Sequence, residues 1–559
     1  MAKVPEEYLP LQRLYRWERE RGDQICMTQP LGGGDATRDF TWVQALGEAR
    51  RMATYLASFG WPPGSHVAIL SKNCAWWLIA DYAIWLAGFV SVPVYPTLTA
   101  ASVRQILEHS DAKACFIGKL DDWQRMKDGV PPGLPCIRFP LSPQVDCPRW
   151  DDIVAKTPPL AGNPVRPAED LATIIYTSGT TGIPKGAMHP FSSFAQVCLI
   201  VEHNFNTTAN ERLLSYLPLA HVADRLASEV LSLQCGCRVY FAESLDTFID
   251  DLRRARPTVF FTVPRLWQKF QLGVFSKMPP AKLDRLLRIP IVSSLVKRKV
   301  LRALGLEHVR LAGSGAAPLP PEVMSWYRRL GLELLEGYGM TENFACSHAS
   351  KPGRVRVGYV GEPVPGVECR ISEEGEIQVK SPGMMKGYFK APELTAEVLT
   401  ADGWLRTGDR GEVDELGRLR ITGRVKELFK TSKGKYVAPA PIEGKLANHP
   451  AIEAVCVGGL GRPQPYGLVM LGLEARKSAA ATRAELEATL VEHLRAINAE
   501  LEPHETLAFL AVVHDEWQIE NGFLTPSLKI RRAAIEREYE PHLDGWYAAG
   551  RDVVWQSKA

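Results

Sequence analysis

The sequence has no Cys-x-x-Cys pair and no cysteine–histidine cluster at zinc spacing. Its 11 cysteines are scattered, and the only close pair is Cys235 and Cys237. A disulfide framework and a zinc module are thereby excluded, and a reducing, cytoplasmic setting is expected. Excess charge is also small: 66 Lys and Arg against 63 Asp and Glu leave +3, too mild a balance to argue for nucleic acid as a partner. An unbroken apolar run of membrane-spanning length is missing. The most apolar stretch, "CAWWLIADYAIWLAGFVSVPVYP" (Cys74–Pro96), contains Asp81 and is ended by Pro93. It reads as a buried helix over about Trp76–Ala87 followed by a strand at Phe89–Val94. The opening segment, "MAKVPEEYLPLQRLYRWERERGDQ", carries charges throughout and has no apolar signal core, so no secretory signal is expected. Neither an internal repeat nor a low-complexity segment occurs.

What is present is a globular pattern. A chain of 559 residues with 46% hydrophobic and 23% charged content exceeds one ordinary core and predicts two or more domains. Thr41-Trp42-Val43-Gln44 has the form of a capping box, with Val43, Leu46, Ala49, Ala53 and Leu56 following at helical spacing. Gly60 and Pro62-Pro63 stop that helix. Strands are expected at His66–Leu70, Ala114–Gly118, Leu213–Leu219 and Arg238–Phe241, with helices near Ser102–His109 and Leu226–Gln234 between them. This alternation implies parallel sheet covered by helices, an α/β fold. The Pro-rich stretch Pro131–Pro167 reads as a long surface excursion. "TVFFTVP" (Thr258–Pro264) and "HVRLAGSGAAPLP" (His308–Pro320) are further strand-to-loop units. Beyond about Gly353, short strands with Gly turns indicate a β-rich region, and the tail adds apolar strands and a helix around Arg483–Leu501.

The stretch "TIIYTSGTTGIPKG" (Thr173–Gly186) runs from a strand into a loop of glycines and hydroxyls that ends at Lys185. Glycines let backbone N–H groups approach an anion, and hydroxyls and a lysine complete a phosphate cradle. It is not the common NTPase loop, which needs Gly-Lys-Ser/Thr to hold magnesium; here the order is Pro184-Lys185-Gly186. A second unusual segment, Lys277–Arg302, holds eight Lys or Arg residues and one acid, Asp284, among Leu, Ile and Val. It reads as a solvated helical face or as a surface that rests on anionic lipid.

Four further phrases follow in order: "LLEGYGMTEN" (Leu334–Asn343), "GWLRTGDRGEV" (Gly403–Val413), "ITGRVKELFKTSKGKYVAP" (Ile421–Pro439) and "NGFLTPSLKIRR" (Asn521–Arg532). With the glycine loop, this set resembles the adenylate-forming superfamily of acyl-CoA synthetases, luciferases and peptide-synthetase adenylation domains, from about Thr41 to Arg532. "LSYLPLAHVADR" (Leu214–Arg225), "KELFKTSKGKYVAP" and "LTPSLKIRR" resemble its long-chain fatty acyl-CoA synthetase branch. The resemblance implies a large N-terminal adenylation domain of layered α/β sheets with a β-rich subdomain, residues 1–424, and a small mobile α+β domain, residues 425–559.

It also implies roles. Thr177, Ser178, Gly179, Thr180, Thr181, Gly182 and Lys185 would hold the β- and γ-phosphates of ATP. Glu342, with Thr177, would hold Mg2+, and Thr341 would touch phosphate. Tyr338 would stack on adenine, with Gly339 and Met340 beside it and Gly315, Ala316 and Ala317 as the opposite wall. Asp409 would accept both ribose hydroxyls, and Arg424 would add a ribose or phosphate contact. His221 would lie near the carboxylate being activated. Lys529 would bridge that carboxylate and the α-phosphate, although the short-chain pattern Ser/Thr-Gly-Lys is here Ser527-Leu528-Lys529, with Arg531 and Arg532 close by. Lys426 would be the hinge. The gate tryptophan that some members place four residues after the histidine is Arg225 here, so no such gate carries over. The apolar segment Phe260–Phe270 fits a tunnel wall or plain core.

The implied activity is ligation of a medium- or long-chain fatty acid to coenzyme A through an acyl adenylate. An aryl or bile-type acid, a carrier-protein thiol as acceptor, a luciferase-type oxygenase and a nucleotide binder without turnover are the alternatives. Partners are the acid and CoA, with peripheral membrane contact through Lys277–Arg302 as an option. The oligomeric state is open, a homodimer among the choices.

Overall fold

The structure, a computed structural model, describes residues 4–177, 184–525 and 529–556. Ser178, Gly179, Thr180, Thr181 and Gly182 therefore lie outside the described residues.

The first half of the chain builds two sheets around one buried helix. In the larger sheet the strands run in the order Cys136–Arg138, Ala114–Ile117, His66–Leu70, Val90–Val94, Leu171–Thr177, Lys185–Pro190. All neighbours are parallel except the last pair, an antiparallel hairpin that brings Thr177 opposite Lys185. The second sheet, of Thr37–Thr41, Ile25–Pro30, Arg238–Phe241 and Arg212–Ser215, mixes both directions. Helix Ala75–Leu86 is buried along its whole length, as a helix apolar on every face must be. Asp81 is the exception in its composition. It is fully buried and ion-paired with Arg225, which also holds Glu229 at 2.8 Å and Thr173 at 2.8 Å. The guanidinium lies against the rings of Trp77, Trp85 and Phe194. Burying one carboxylate here is tolerable only because this cation comes with it.

Several expectations need correction. The capping box at Thr41 and Gln44 is present, but Val43 is 48% exposed, because Trp42 and Ala45 take the inner face of helix Trp42–Ala57. Pro131–Pro167 is more than a surface excursion. It contributes the edge strand Cys136–Arg138 and helix Trp150–Lys156, whose Trp150 is buried against Phe116 and Phe139. The strand expected to reach Leu219 ends at Ser215, and residues 225–230 form a widened π turn ahead of helix Leu231–Cys235. The tail helix begins earlier than Arg483, at Leu473, and bends at Thr482.

A third sheet, Val259–Thr262, Leu311–Ser314, Leu334–Tyr338, His348–Ala349 and Glu362–Pro363, starts parallel and finishes antiparallel. Beside it lies an antiparallel sheet of Glu368–Ile371, Glu376–Lys380, Leu405–Val413 and Leu419–Arg424. After the short turn Val425–Glu427 the chain builds separate cores on a sheet of Ile452–Gly458, Tyr466–Leu471, Leu510–Val513 and Val553–Trp555, packed by helices Pro439–Leu446, Leu473–Asn498 and Arg532–Ala548. This C-terminal portion touches the larger one through Gln268–Asn448 at 3.0 Å, Arg125–Glu520 at 3.4 Å and the pair Arg265–Glu453. Phe260, Trp267 and Phe270 are buried in the core under the third sheet, so those three rings pack the interior.

Candidate active site

The site forms where strand ends from the sheets meet the C-terminal portion, and its three parts are built differently. At the first, the hairpin of Leu171–Thr177 and Lys185–Pro190 carries Lys185 out of the sheet, with its ammonium 5.5 Å from the centre of the Tyr388 ring. Strand Lys185–Pro190 is tied to the segment bearing Tyr388 by Phe389 N–H to Gly186 C=O at 2.8 Å and Met188 N–H to Gly387 C=O at 3.0 Å. The Tyr388 hydroxyl donates to Glu342 Oε1 at 2.5 Å. The loop holding Glu342 is pinned twice more. Met385 N–H donates to the Glu342 carbonyl at 2.8 Å, and buried His189 donates from Nε2 to the Thr341 carbonyl at 2.7 Å. Burial pushes His189 down to about 3, so it stays neutral and keeps that single donor role. Gly339 is required at the start of this loop, since a Cβ there would lie 2.3 Å from the Ala345 carbonyl carbon.

The second part is a carboxylate held from both sides. Asp409, 6% exposed, sits opposite Arg424 across the pair of strands Leu405–Val413 and Leu419–Arg424. Its Oδ1 takes Arg424 Nε at 3.0 Å and its Oδ2 takes the Tyr338 hydroxyl at 2.7 Å. The segment Gly315–Ala317 leaves the end of strand Leu311–Ser314. Gly315 packs against the Gly337 carbonyl, where a Cβ would be 3.0 Å away, and Ala316 and Ala317 are exposed. Ala316 adopts φ +67°, a left-handed conformation that costs a non-glycine residue about 1–2 kcal/mol.

At the third part His221 caps the short helix Val222–Asp224, its Nδ1 accepting from Ala223 N–H at 3.0 Å. A neutral ring with Nδ1 as acceptor carries its proton on Nε2. Burial, and then the charge of Lys529, push its pKa down to about 4. Lys529 comes from the far end of the chain. Its surroundings lower its pKa through burial first and then Arg424, while Asp409, Glu342 and Glu427 oppose that shift. The residue is exposed although protein surrounds it, which describes a side chain in a cleft open to water. Its neighbour Arg532 is engaged elsewhere, bidentate to Glu443 at 2.6 and 3.0 Å and 3.5 Å from Glu427. Lys426 is exposed in the turn Val425–Glu427.

Thus Lys185, Glu342 and Thr341 are linked through Tyr388 and His189, Asp409 joins Tyr338 and Arg424, and Lys529 lies within electrostatic reach of Arg424, Asp409, Glu342 and His221. Arg225 is not among them, being locked in the core. Tyr388 and His189, which position the Glu342 loop, were invisible in the sequence because neither stands in a phrase with a chemical reading. Among the described residues no three His, Cys, Asp or Glu side chains gather as a metal cage. A magnesium ion bound by one carboxylate and by substrate phosphates needs no such cage. The donor set therefore fits one through Glu342.

Comparison with known proteins agrees with this architecture. The chain belongs to the AMP-binding enzyme family: that family's model matches residues 14–389, and the AMP-binding enzyme C-terminal domain matches residues 427–551. It is 31% identical over 586 residues to the long-chain-fatty-acid–CoA ligase FadD15 of Mycobacterium bovis, covering 96% of each chain. It is 29% identical to long-chain-fatty-acid–CoA ligase 5 of Rattus norvegicus, covering 94% of this chain and 87% of that one. The adenylation domain of the carboxylate reductase GR01_22995 from Mycobacterium chelonae shares the fold, with a TM-score of 0.81 at 23% identity over 97% of this chain and 91% of that one.

Proposed function

We propose that the protein is an ATP-dependent fatty acid:CoA ligase acting on medium- or long-chain acids. The observation that carries this reading is the likeness over nearly the whole chain to long-chain-fatty-acid–CoA ligases; the place of Lys529 near Asp409, Glu342 and His221 supports it.

A carboxylate must gain a leaving group before a thiol attacks it. In the first half-reaction an oxygen of the acid attacks the α-phosphorus of ATP, and the bond to pyrophosphate breaks with its electron pair leaving on pyrophosphate. Two anions approach one another, so the step needs fixed positive charge. Lys185 and the loop Thr177–Gly182 hold the β- and γ-phosphates, and Lys529 bridges the attacking carboxylate and the α-phosphate. His221, neutral with its proton on Nε2, donates toward the acid. Asp409 retains lone pairs beyond those used by Tyr338 and Arg424 for the ribose hydroxyls, and Tyr338 with Gly315–Ala317 frames the base. Glu342 and Thr177 would hold Mg2+, which supplies neutralisation of polyphosphate charge.

In the second half-reaction the CoA thiolate attacks the acyl carbon and AMP leaves. Residues 425–559 turn about Lys426 between the steps, withdrawing Lys529 and opening the thiol's path. The exposed turn Val425–Glu427 between separately cored portions supports that reading. The basic face of Lys277–Arg302 would rest on the membrane that supplies a long-chain acid; among the described residues no helix is long and apolar enough to cross one.

The test is pyrophosphate release across carboxylic acids of graded length, followed by CoA-dependent AMP release. Release that peaks with medium or long aliphatic acids supports the reading. A preference for aryl or bile-type acids, or for a carrier-protein thiol as acceptor, overturns it.

A further inference from the structure

We infer that Asn73 and Asp224 are positioning residues for His221, clamping between them the turn of residues 215–224 that presents the histidine to the acid. This role rests on the proposed reading of His221 as the group facing the carboxylate. Asn73 lies just past strand His66–Leu70 of the larger sheet and is buried. Its side chain meets the turn at three points. Leu219 N–H donates to its Oδ1 at 3.0 Å, while its Nδ2 donates to the Leu217 carbonyl at 2.6 Å and to Asp224 Oδ2 at 2.9 Å. Ser215, the last residue of strand Arg212–Ser215 in the second sheet, donates its hydroxyl to the same Oδ2 at 2.8 Å. The turn therefore starts and ends on one carboxylate oxygen, and an amide from the other sheet holds its middle. His221 stands inside it, with its N–H on the Pro218 carbonyl at 2.8 Å and its Nδ1 taking Ala223 N–H.

Core filling alone does not call for this carboxyl. Asp224 is 1% exposed and has no ion-pair partner among the described residues; Arg225, next in the chain, is turned to Asp81 and Glu229. A buried carboxyl without a cation is costly. Burial pushes Asp224 up to about 7, with Ser215, Ser228 and Asn73 opposing the shift. An apolar side chain of similar size would cost less there. What the carboxylate adds is an acceptor on which donors from both sheets converge. The pKa of His221 answers to burial and then to Lys529, and Asp224 is not among its causes. The coupling therefore runs through the shape of the turn rather than through charge.

Ser228 supplies a matched control. Its hydroxyl, equally buried, donates to the other oxygen, Oδ1, at 3.3 Å from the widened turn beyond Arg225. Removing it disturbs the same carboxyl without releasing residues 215–221.

The experiment measures acid-dependent pyrophosphate release by the full chain at saturating ATP. Asp224→Asn, Asn73→Ala, Ser215→Ala and Ser228→Ala are each made alone and together with His221→Ala. Circular dichroism and melting check folding, and calorimetry checks ATP binding. Asp224→Asn and Asn73→Ala should lower kcat roughly tenfold with ATP affinity unchanged, Ser215→Ala should lower it less, and Ser228→Ala should leave it parental. Added to His221→Ala, each should cost less than about twofold, because the residue they act through is gone. In nitrogen-15 NMR of the histidines, the parent should carry the His221 proton on Nε2, and Asp224→Asn should shift population to Nδ1. Losses that persist at full size beside His221→Ala overturn the assignment, as do equal losses in Ser228→Ala and Asp224→Asn, or an unmoved tautomer. If Asp224→Asn does not fold, Ser215→Ala alone and beside His221→Ala decides by the same comparison. The tautomer measurement needs no turnover, so it judges the clamp even where the parent releases no pyrophosphate with any acid, an outcome that would overturn the proposed function instead.

Discussion

Tyr388 donates its hydroxyl to Glu342 Oε1 at 2.5 Å, across 46 residues of chain. One buried side chain thereby fixes the carboxylate proposed to hold magnesium and offers its ring to Lys185, the proposed phosphate cation. Neither partner is placed by its own loop alone. The arrangement explains how charged groups on separate segments keep one geometry before any nucleotide arrives.

Tyr388→Phe removes the hydroxyl and keeps the ring. A hydrogen bond to a charged group contributes about 1.5–3 kcal/mol. ATP binding measured by calorimetry should weaken roughly tenfold in magnesium and change little in EDTA. Glu342→Gln should show the same pattern more strongly. Equal binding by Tyr388→Phe in both conditions, with Glu342→Gln affected, would remove Tyr388 from this role.

Asp409→Asn should behave differently. It weakens acceptance at Tyr338, at Arg424 and at the proposed ribose contact, so AMP binding should fall by roughly 10–100-fold with or without magnesium. Unchanged AMP affinity would mean that Asp409 only braces the two strands.

The pH dependence has a defined sign. The pKa of Lys529 is lowered by burial and by Arg424. Its ammonium is therefore lost, as pH rises, earlier than that of an ordinary lysine near 10.4, and the adenylation rate should fall on the alkaline side below that value. His221, pushed down to about 4, stays neutral through the working range. The unfolded chain, with histidine near 6.5, binds the extra proton first, so this residue's contribution to stability is lost as pH falls from 6.5 toward 4. In Lys529→Met the repelling charge is gone, and the His221 titration followed by NMR should move upward. No movement would place Lys529 away from His221 in solution.

Removing Asp81 tests the core rather than the site. Arg225 would keep its contact with Glu229, but this buried cation would lose its ion pair with Asp81. Asp81→Ala should cost about 3–5 kcal/mol in urea unfolding. A cost below about 1 kcal/mol, as for an exposed pair, would show that the group is solvated.

The sequence revealed most of the elements whose signal is local. The capping box at Thr41, the strand before the glycine loop, and the chain of ordered phrases all lie within a few residues of their cause. Features carried by distant partners were not legible. Asp81 in an apolar helix finds Arg225 144 residues later, and Glu342 finds Tyr388 in a stretch that read only as Gly-turn texture. Val43 fitted the helical period yet faces water, because period alone does not say which of two adjacent stripes the core will take. Arg532, close to Lys529 in the sequence, is likewise held by a distant partner, Glu443, 89 residues away.

The most direct measurement separates the two half-reactions in Lys529→Met. Acid-dependent exchange of pyrophosphate into ATP should fall by roughly 100-fold or more, while thioester formation from supplied acyl adenylate and CoA continues near the parental rate. Exchange at the parental rate, or equal loss in both half-reactions, would contradict the account.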